Sequence, residues 1–442
     1  MTHISGSSVF PYNHKLLGVF ESGALSEKVY DESLRETQEA LESLRREGGE
    51  GKLAMLEAAF WQNDLSALSS VGAAYKKFHS VLIIGMGGAS LGGKALAALF
   101  QSWVMSDSSF PFLYFIDNLD PEIFWEIMSV LNPRTTGVIV ISKSGETPET
   151  LIQLMRCVEY WQEFLSSYEM SSHFTVITSS GKNTLNKIGK NFRFTVLEHP
   201  KDIGGRFSCL SVVGLLPLFI VGGDPRKVRH GAGHVLKRVF EDKISPPVEG
   251  VACLWGLYQE KNLMSHVMMS YGDAFGPFAQ WHRQLWAESL GKEGIGFLPV
   301  TAMGPMDQHS QLQLYLDGPK DKFFTVLSEK QLVREKPKPE IWADFPELNF
   351  LAYASLEDLL HAERMATTRV LIERGAPVRE IEVSSFNEVT IGALFSHFIL
   401  ETLLMGILLK IDPLTQPAVD AGKILAKKFL LNPSSADQEK AS

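Results

Sequence analysis

Five short apolar runs separated by helical segments are the feature that most limits how this chain can fold. The runs are VLIIG (81–85), FLYFID (112–117), GVIVIS (137–142), FTVITS (174–179) and FRFTVL (192–197). The segments between them carry helical periodicity; in TPETLIQLMRCVEYWQEF, for example, apolar residues recur at i, i+3, i+4 and i+7. Alternation of helices with nearly all-apolar strands predicts a parallel sheet that is covered on both faces.

The chain of 442 residues is long enough for two or three domains. A second alternating region contains FLPVT (297–301), FFTVL (323–327) and VREIEV (378–383), which predicts a second α/β domain. The N-terminal 60 residues, a long middle region and the C-terminal elements have helical patterns. We therefore expect an N-terminal helical segment (1–61) packed on the second domain, a first α/β domain (62–225), and a second α/β domain with C-terminal helices (226–442).

Composition and charge argue against several classes of protein. The formal net charge of -9 disfavours a nucleic-acid partner, which requires a concentrated Lys/Arg surface. Two apolar stretches, 210–223 and 394–411, are interrupted by proline or by charged residues, so we predict core helices and no membrane span. The start of the chain lacks the features of a secretory signal, and three widely spaced cysteines favour buried free thiols over disulfides. A cytoplasmic location is therefore expected.

The stretch GMGGASLGGK (85–94) follows the first apolar run and precedes a helical segment. A loop at the start of a helix after a parallel strand can bind an anion, because free backbone N–H groups meet the positive end of the helix dipole there. The dinucleotide fingerprint fails at Ser90, and a Walker A loop fails at Ala95, where Mg²⁺ requires a hydroxyl. Nucleotide binding is therefore disfavoured, and close strand–helix packing is the alternative explanation for the glycines.

A second candidate loop, SKSGET (142–147), follows the third run. It combines the hydroxyls of Ser142, Ser144 and Thr147 with the ammonium of Lys143, and a helix begins near Pro148. A helix cap alone would need only Thr147. The excess of donors predicts a monophosphate site, and two such loops at the same edge of a parallel sheet can close on one small phosphorylated ligand.

The SKSGET loop resembles the phosphosugar-binding loop of the sugar isomerase (SIS) superfamily. Together with GMGGASLGG and GGRFS (204–208), the chain resembles the glucose-6-phosphate isomerase family within it. The segments RQLWAESLGKEG (283–294), Asp307-Gln308-His309 and QPAVDAGK (416–423) extend the resemblance in the expected order. It implies two SIS-type doubly wound domains and the interconversion of an aldose and a ketose phosphate through an enediol.

The resemblance also implies roles for individual residues. Glu288 matches the catalytic base, and Gln284 lies one turn earlier on the same helix face. Without the other motifs, Glu288 would be expected to pair with Lys292 on an exposed helix. Arg206, which follows Gly205, matches the arginine that stabilises the enediolate.

Three further residues match the family's acid and substrate contacts. His309 matches the ring-opening histidine, and its residue type suits proton transfer near neutral pH. Gln416 matches a substrate contact, and Lys423 matches a lysine near the ring oxygen or the phosphate. Because the spacing of seven residues is two helical turns, we expect Gln416 and Lys423 on one face of a helix.

The glycine-rich loop departs from the family at one substrate-binding position. Gly88 is followed by Ala89, where the family usually has a serine, and the hydroxyl is displaced to Ser90. We expect Gly88, Ala89 and Ser90 to border the substrate, with Ser90 or a backbone N–H replacing the missing hydroxyl.

The resemblance further implies a homodimer in which each site uses His309 of the neighbouring subunit. No cofactor or metal is expected, because Asp307 and His309 lack a third and fourth ligand at characteristic spacing. Two alternatives remain open: a bifunctional phosphoglucose/phosphomannose isomerase, and a non-catalytic SIS-type sensor of sugar phosphates. The retained acid–base residues argue against the sensor.

Overall fold

The computed structural model describes residues 10–49, 53–100, 109–242, 244–261, 263–331 and 336–432. Within these residues, ten strands form two five-stranded sheets. The strands are β1 (Tyr12–Leu17), β2 (Ser80–Ile84), β3 (Phe112–Ile116), β4 (Thr136–Ile141), β5 (Phe174–Thr178), β6 (Thr195–Glu198), β7 (Ser265–Tyr271), β8 (Leu298–Gly304), β9 (Lys322–Glu329) and β10 (Val378–Val383).

Helices cover the faces of both sheets and connect their strands. The α-helices are α1 (Glu27–Gly49), α2 (Ala54–Glu57), α3 (Leu65–Tyr75), α4 (Leu91–Ala97), α5 (Pro121–Val130), α6 (Pro148–Gln162), α7 (Ser167–Ser171), α8 (Thr184–Phe192), α9 (Val212–Ile220), α10 (Pro225–Glu241), α11 (Pro246–Lys261), α12 (Gly276–Leu290), α13 (Leu312–Asp317), α14 (Asn349–Ala352), α15 (Leu356–Glu373), α16 (Glu388–Leu408) and α17 (Asp420–Leu431). Short 3₁₀ segments include Gly87–Ala89, Gly205–Leu210, Met306–Gln308 and Pro417–Val419.

The first sheet has the strand order β3-β2-β4-β5-β6, and every pair in it is parallel. Its strands are buried on both faces, as the apolar runs predict: Val81 and Ile83 join one core cluster, whereas Leu82 and Ile84 join another. The chain order reverses at β2, from which connections lead outward in both directions. Loops at the carboxyl end of such a switch point are where open α/β sheets bind ligands.

The second sheet has the order β1-β10-β9-β7-β8 and is parallel except for the antiparallel pair of β1 and β10. The predicted second α/β fold is therefore confirmed. The expectation of a wholly helical N-terminal segment is wrong, because β1 belongs to this sheet. Helix α1 packs against α11 and α16, so the N-terminal segment contacts the second half of the chain. The division into domains at the stated boundaries stays a prediction.

Strand β1 was not predicted from the sequence because polar residues occupy its buried face. Tyr12 and His14 point into the core, where the Tyr12 hydroxyl lies 2.7 Å from Nδ1 of His397 and the His14 ring lies 3.6 Å from the Glu249 carboxylate. Burial lowers the pKa of His14, against the opposing effect of Glu249. A strand with a tyrosine and a histidine on its inner face shows no apolar alternation in the sequence.

The two long apolar stretches form core helices, as predicted. Helix α9 is almost entirely buried. Helix α16 is the one described helix long and apolar enough to cross a membrane, but 89% of its apolar window is buried inside the protein. The three cysteines are buried and free. The predicted C-terminal helix α17 exists, and it is exposed along its length; the polar tail beyond it lies outside the described residues.

Candidate active site

A cavity of about 570 Å³ lies at the carboxyl ends of β2, β4 and β5. Loops from the first sheet form one side, and Gly205, Arg206, α12 and the segment leading into α17 form the other. Twelve of the fourteen residues predicted from the sequence line it: Gly88, Ala89, Ser142, Lys143, Ser144, Thr147, Gly205, Arg206, Gln284, Glu288, Gln416 and Lys423. The two predicted residues that do not line it are Ser90 and His309.

The glycine-rich loop packs directly on the loop that carries Arg206. A Cβ atom on Gly88 would lie 2.3 Å from the carbonyl carbon of Gly205 and 2.5 Å from the amide nitrogen of Arg206. Gly87 has a φ of +55°, and a side chain there would meet the amide of Gln284. Glycine at 88 therefore lets two backbone segments meet at one wall of the cavity, and glycine at 87 leaves room for the Gln284 side chain.

The second half of the same loop serves packing. Cβ atoms on Gly92 and Gly93 would lie 3.0 Å from Cys209 and from Pro217, so these glycines let α4 approach the 3₁₀ segment Gly205–Leu210 and α9. The packing explanation for the glycines is therefore correct for this half. Ser90 is 1% exposed, and its hydroxyl lies 3.2 Å from both the Gly87 carbonyl and the Asp117 carboxylate, so it is committed to the protein.

Hydrogen bonds between its own residues fix the conformation of the SKSGET loop. The hydroxyls of Ser142 and Thr147 are 2.8 Å apart, and the Gly145 amide donates to the Ser142 hydroxyl at 3.1 Å. Gly145 has a φ of +66°, which favours glycine. Thr147 precedes α6 but makes no side-chain cap hydrogen bond, so the first amides of this helix are not occupied by a capping side chain. The loop therefore presents the hydroxyls of Ser142, Ser144 and Thr147 to the cavity, directly before the N-terminus of α6.

Lys143 supplies a cation that no described residue neutralises at close range. Its ammonium has no hydrogen-bond or ion-pair partner among the described residues, although Asp202 attracts it from farther away. Burial lowers the pKa of Lys143, and the positive charge of Arg206 lowers it further. A half-buried ammonium in this position would be stabilised by an anion in the cavity.

Helix α12 presents Glu288 and Gln284 to the cavity while its opposite face is buried. The Gln284 amide donates to Oε1 of Glu288 at 2.8 Å, so the two side chains lie on the same helix face, as expected from their spacing. Lys292 does not pair with Glu288, because its ammonium donates to the Asp412 carbonyl instead. Trp281 of the same helix donates its indole N–H to the Arg206 carbonyl at 3.1 Å. Helix α12 thus fixes both the carboxylate and the backbone of the arginine.

Arg206 is 2% exposed and uses all five of its N–H donors within the protein. Nε donates to Ser289 at 2.7 Å, and Nη1 donates to Glu288 at 3.2 Å and to Gln416. Nη2 donates to the carbonyls of Pro413 at 2.7 Å and Thr415 at 3.1 Å. Burial lowers the pKa of Arg206, and the nearby Glu288 carboxylate opposes that effect. A group that developed negative charge beside Nη1 would have to displace Glu288 or Gln416.

Gln416 and Lys423 reach the same cavity from different elements. Gln416 precedes the 3₁₀ segment Pro417–Val419, and Lys423 lies in α17. The expectation that one helix carries both is therefore wrong, because Gln416 lies before the first helical residue and only Lys423 belongs to α17. The Lys423 ammonium lies 3.5 Å from the Asp420 carboxylate, and its side chain is 58% exposed, so it can move toward a ligand.

His309 does not line the cavity of its own chain. It follows the 3₁₀ segment Met306–Gln308 and is exposed. The neighbouring Asp307 accepts hydrogen bonds from the Ser310 hydroxyl at 2.6 Å and the Met303 amide at 2.7 Å, which fix the turn. Among the described residues, no group of three or more potential metal ligands occurs.

Sequence reasoning missed the part of the cavity next to β5 and β6. This part contains Ser179, Ser180, Lys182, Asn183 and His199, and two lining residues beside β2 and β4, Met86 and Ile141, were missed as well. His199 is 1% exposed, and its Nδ1 lies 3.0 Å from the Pro200 carbonyl. Burial lowers the pKa of His199 to about 4. The signal was available, because SSGKN directly follows a predicted strand whose carboxyl end must lie beside SKSGET.

A comparison with protein families agrees with this geometry. The family model for phosphoglucose isomerase matches residues 58–317. The chain belongs to the phosphoglucose isomerase family. A probable glucose-6-phosphate isomerase of Methanococcus maripaludis is 32% identical over 437 residues, which are 99% of this chain and 97% of that protein. A glucose-6-phosphate isomerase of Rubrobacter xylanophilus is 34% identical over 77% of this chain and 80% of its own length. The first alignment extends the phosphoglucose isomerase similarity beyond the family match to Gln416 and Lys423.

Solved structures share the phosphoglucose isomerase architecture. A Thermus thermophilus protein described as hypothetical superposes with a TM-score of 0.82 at 29% identity, covering 94% of this chain and 99% of its own. A glucose-6-phosphate isomerase of Chlamydia trachomatis superposes with a TM-score of 0.79 at 18% identity, covering 97% and 90%. The second similarity concerns the fold alone, and it extends over both sheets.

Proposed function

We propose that this protein interconverts D-glucose 6-phosphate and D-fructose 6-phosphate by ring opening and proton transfer through a cis-enediol, in glycolysis and gluconeogenesis. The observation that carries the proposal is the single cavity that joins the Glu288–Arg206 pair, 3.2 Å apart, to the SKSGET loop. One end offers donors for a phosphate, and the other offers a base beside a buried guanidinium. We also propose a cytoplasmic location, which the three buried free cysteines support.

In this proposal Glu288 moves the proton between the two carbons. It removes the proton from C2 of the open-chain aldose and returns it to C1, while the proton of the C2 hydroxyl passes to the oxygen on C1, and the negative charge collects on the enediolate oxygens in between. The donation from Gln284 at 2.8 Å holds the carboxylate in one orientation. A positioned carboxylate of this kind contributes a rate factor of about 10² to 10⁴.

Arg206 stabilises the enediolate only after it exchanges a partner. All five of its donors are occupied in this structure, so the substrate must replace Glu288 or Gln416 at Nη1. This exchange would serve both groups. When Glu288 leaves Arg206, its carboxylate becomes free to accept a proton, and the guanidinium becomes free to bind the negative charge that develops on the substrate. The contacts to Ser289, Pro413 and Thr415 keep the guanidinium in place meanwhile.

The phosphate is held at the other end of the cavity. The hydroxyls of Ser142, Ser144 and Thr147 donate to its oxygens, together with the first amides of α6. Lys143 supplies the positive charge that its own surroundings do not neutralise. This anchoring leaves C1 and C2 near Glu288.

The reaction provides a direct test of the proposal. Purified protein should convert fructose 6-phosphate to glucose 6-phosphate in an assay coupled to a glucose-6-phosphate dehydrogenase, and should do so in the presence of EDTA. The absence of turnover with a folded protein would overturn the proposal. Mannose 6-phosphate, tested in parallel, measures whether the same enediol chemistry extends to the C2 epimer.

The missing hydroxyl at position 89 leads to the first expected result. Ala89 lines the cavity, and the Ser90 hydroxyl is held by Gly87 and Asp117, so neither supplies a hydroxyl to the substrate. We expect Ala89→Ser to lower KM about threefold and to leave kcat within about twofold, as one added hydrogen bond would. Ala89→Cys is the matched control, because a thiol of similar size is a weak donor. An unchanged KM in Ala89→Ser would mean that the substrate does not need this hydroxyl.

We also propose that the active unit is a homodimer in which His309 enters the partner's cavity. Supporting this, His309 is exposed and does not line its own cavity, and α17 beside the cavity carries exposed apolar residues, among them Ile424, Leu430 and Leu431 at 71%, 78% and 71%. Within a dimer, His309 acts on the ring oxygen and Lys423 assists.

Mixing two inactive variants tests the shared site. Glu288→Gln and His309→Ala should each be inactive alone. If the two are unfolded and refolded together at equal amounts, half of the dimers are mixed, and one site in each combines an intact Glu288 with an intact histidine. Activity should then return to about a quarter of wild type. If His309 served its own chain, no wild-type site would form and the mixture would stay inactive.

A further inference from the structure

We propose that Asp117, Ser90 and Lys94 form a clamp that fixes the glycine-rich wall of the cavity and thereby sets substrate affinity. This inference rests on the proposed function of the same cavity. It gives Ser90 a positioning role in place of the ligand contact expected from the sequence, and it explains Lys94, which the isomerase chemistry leaves unused. The three residues are called the Asp117 clamp below.

The clamp lies on the side of the glycine-rich loop that faces away from the phosphate loop. Strand β3 is the edge strand next to β2, and Asp117 directly follows it, whereas the SKSGET loop follows β4 on the other side of β2. One carboxylate oxygen of Asp117 lies 2.8 Å from the Lys94 ammonium and 3.2 Å from the Ser90 hydroxyl. The carboxylate therefore ties the end of β3 to the loop and to the first helix turn after it.

Ser90 is in the wrong arrangement for an ordinary helix cap. It occupies the N-cap position of α4, where a serine hydroxyl usually accepts from an amide of the first turn, yet it makes no such bond. Its hydroxyl instead lies between the Asp117 carboxylate and the Gly87 carbonyl, at 3.2 Å from each. Both neighbours are acceptors, so the single hydroxyl proton is shared between them, and a serine that leaves its helix uncapped in this way is positioned to hold the loop.

Lys94 completes the clamp and takes no part in ligand binding at its present position. Its ammonium pairs with Asp117, with side-chain exposures of 34% and 23%, and lies 5.8 Å from the centre of the Phe115 ring. The pairing also neutralises a carboxylate close to a cavity that must accept a phosphate dianion. The lysine that resembles a nucleotide-loop lysine in the sequence is thus a counter-ion for Asp117.

Backbone contacts of the glycine-rich loop connect the Asp117 clamp to Gln284 and Arg206 of the cavity. Gly87, whose carbonyl is next to the Ser90 hydroxyl, adjoins Gln284, and Gly88 rests on the backbone of Gly205 and Arg206. If the loop receded, the wall that borders the substrate would move, whereas Arg206 would keep its contacts to α12 and to the Pro413–Thr415 carbonyls. Loss of the clamp should therefore raise KM more than it lowers kcat.

Steady-state kinetics on clamp variants test this inference. We expect Asp117→Ala to raise KM for fructose 6-phosphate about tenfold and to change kcat less than about threefold. Ser90→Ala and Lys94→Met should each raise KM about three- to fivefold, and Lys94→Arg, which keeps the ion pair, should restore KM to within about twofold of wild type. In Asp117→Ala, adding Ser90→Ala should change KM less than about twofold, because the two residues act as one unit.

Asp120→Ala is the matched control. Asp120 lies three residues after Asp117, and its carboxylate caps α5 by accepting from the amides of Glu122 and Ile123. Its removal should lower the unfolding midpoint and leave KM unchanged.

The clamp is refuted if Asp117→Ala leaves KM within about 1.5-fold of wild type, or if Lys94→Met and Lys94→Arg have equal KM values. Inactivity of the wild-type protein would instead refute the proposed function, and fructose 6-phosphate titrated by thermal shift would then compare affinities in the same variants without turnover.

Discussion

Glu288→Gln is expected to lower kcat by about 10³- to 10⁴-fold and to leave KM and the unfolding midpoint nearly unchanged. The substitution is close to isosteric, and the new amide keeps an oxygen that can accept from Arg206, as Glu288 does at 3.2 Å. What is lost is the only carboxylate that lines the described cavity, and with it the group proposed to take the proton from carbon.

Two measurements separate loss of the base from a general disturbance of the site. In deuterated buffer, the wild-type enzyme should place deuterium on C2 of glucose 6-phosphate, and the variant should not do so over the same period, as NMR would detect. Glu293→Gln removes an exposed carboxylate five residues later and should retain wild-type kcat. A Glu288→Gln enzyme with kcat within about tenfold of wild type would exclude Glu288 as the base.

The first sheet could be predicted from the sequence because local patterns encode it. Its strands are short, apolar and evenly interrupted, and four of the five runs coincide with strands to within about one residue at each end. The fifth run starts too early, because Phe192 still belongs to α8 and the strand begins at Thr195. Boundaries of this kind depend on tertiary contacts and are the least certain part of any such prediction.

The second sheet was harder to predict because polar residues occupy its core. Strand β7 is buried along its whole length, yet it contains Ser265, His266 and Ser270, so it did not stand out from the helical segments around it. His266 pairs with the Thr325 hydroxyl at 2.7 Å inside the sheet. That pairing joins residues 59 positions apart, so no local sequence pattern could predict it.

The active-site motifs were visible in the sequence, but their contacts were not. SKSGET and the Gln284–Glu288 pair lie within single loops or helix turns, so spacing alone placed their side chains together. The backbone contact of Gly88 with Gly205, in contrast, joins two distant loops. The same is true of Asp117, whose role depends on the neighbouring strand end and not on its own surroundings in the sequence.

Arg206→Lys should be the second variant with a large effect, lowering kcat by about 10²- to 10³-fold even though the positive charge is kept. An ammonium has three donors where the guanidinium has five, so it cannot hold Ser289, the two backbone carbonyls and the substrate oxygens together. At least two acceptors lose their partner in the ligand-free protein, which should cost about 2 to 3 kcal/mol of stability.

A second buried arginine allows the catalytic and structural parts of this loss to be separated. Arg229 is also 2% exposed and also makes five hydrogen bonds, to Asp64 and to the carbonyls of Trp61 and Leu210, but it does not line the cavity. We expect Arg229→Lys to lower the free energy of unfolding, measured in urea, by a similar amount and to leave kcat within about twofold of wild type. If both variants lost kcat equally, the effect of Arg206 would be structural. If only Arg206→Lys lost kcat, its fork of donors would be required in the transition state, because stability alone would then not account for the loss.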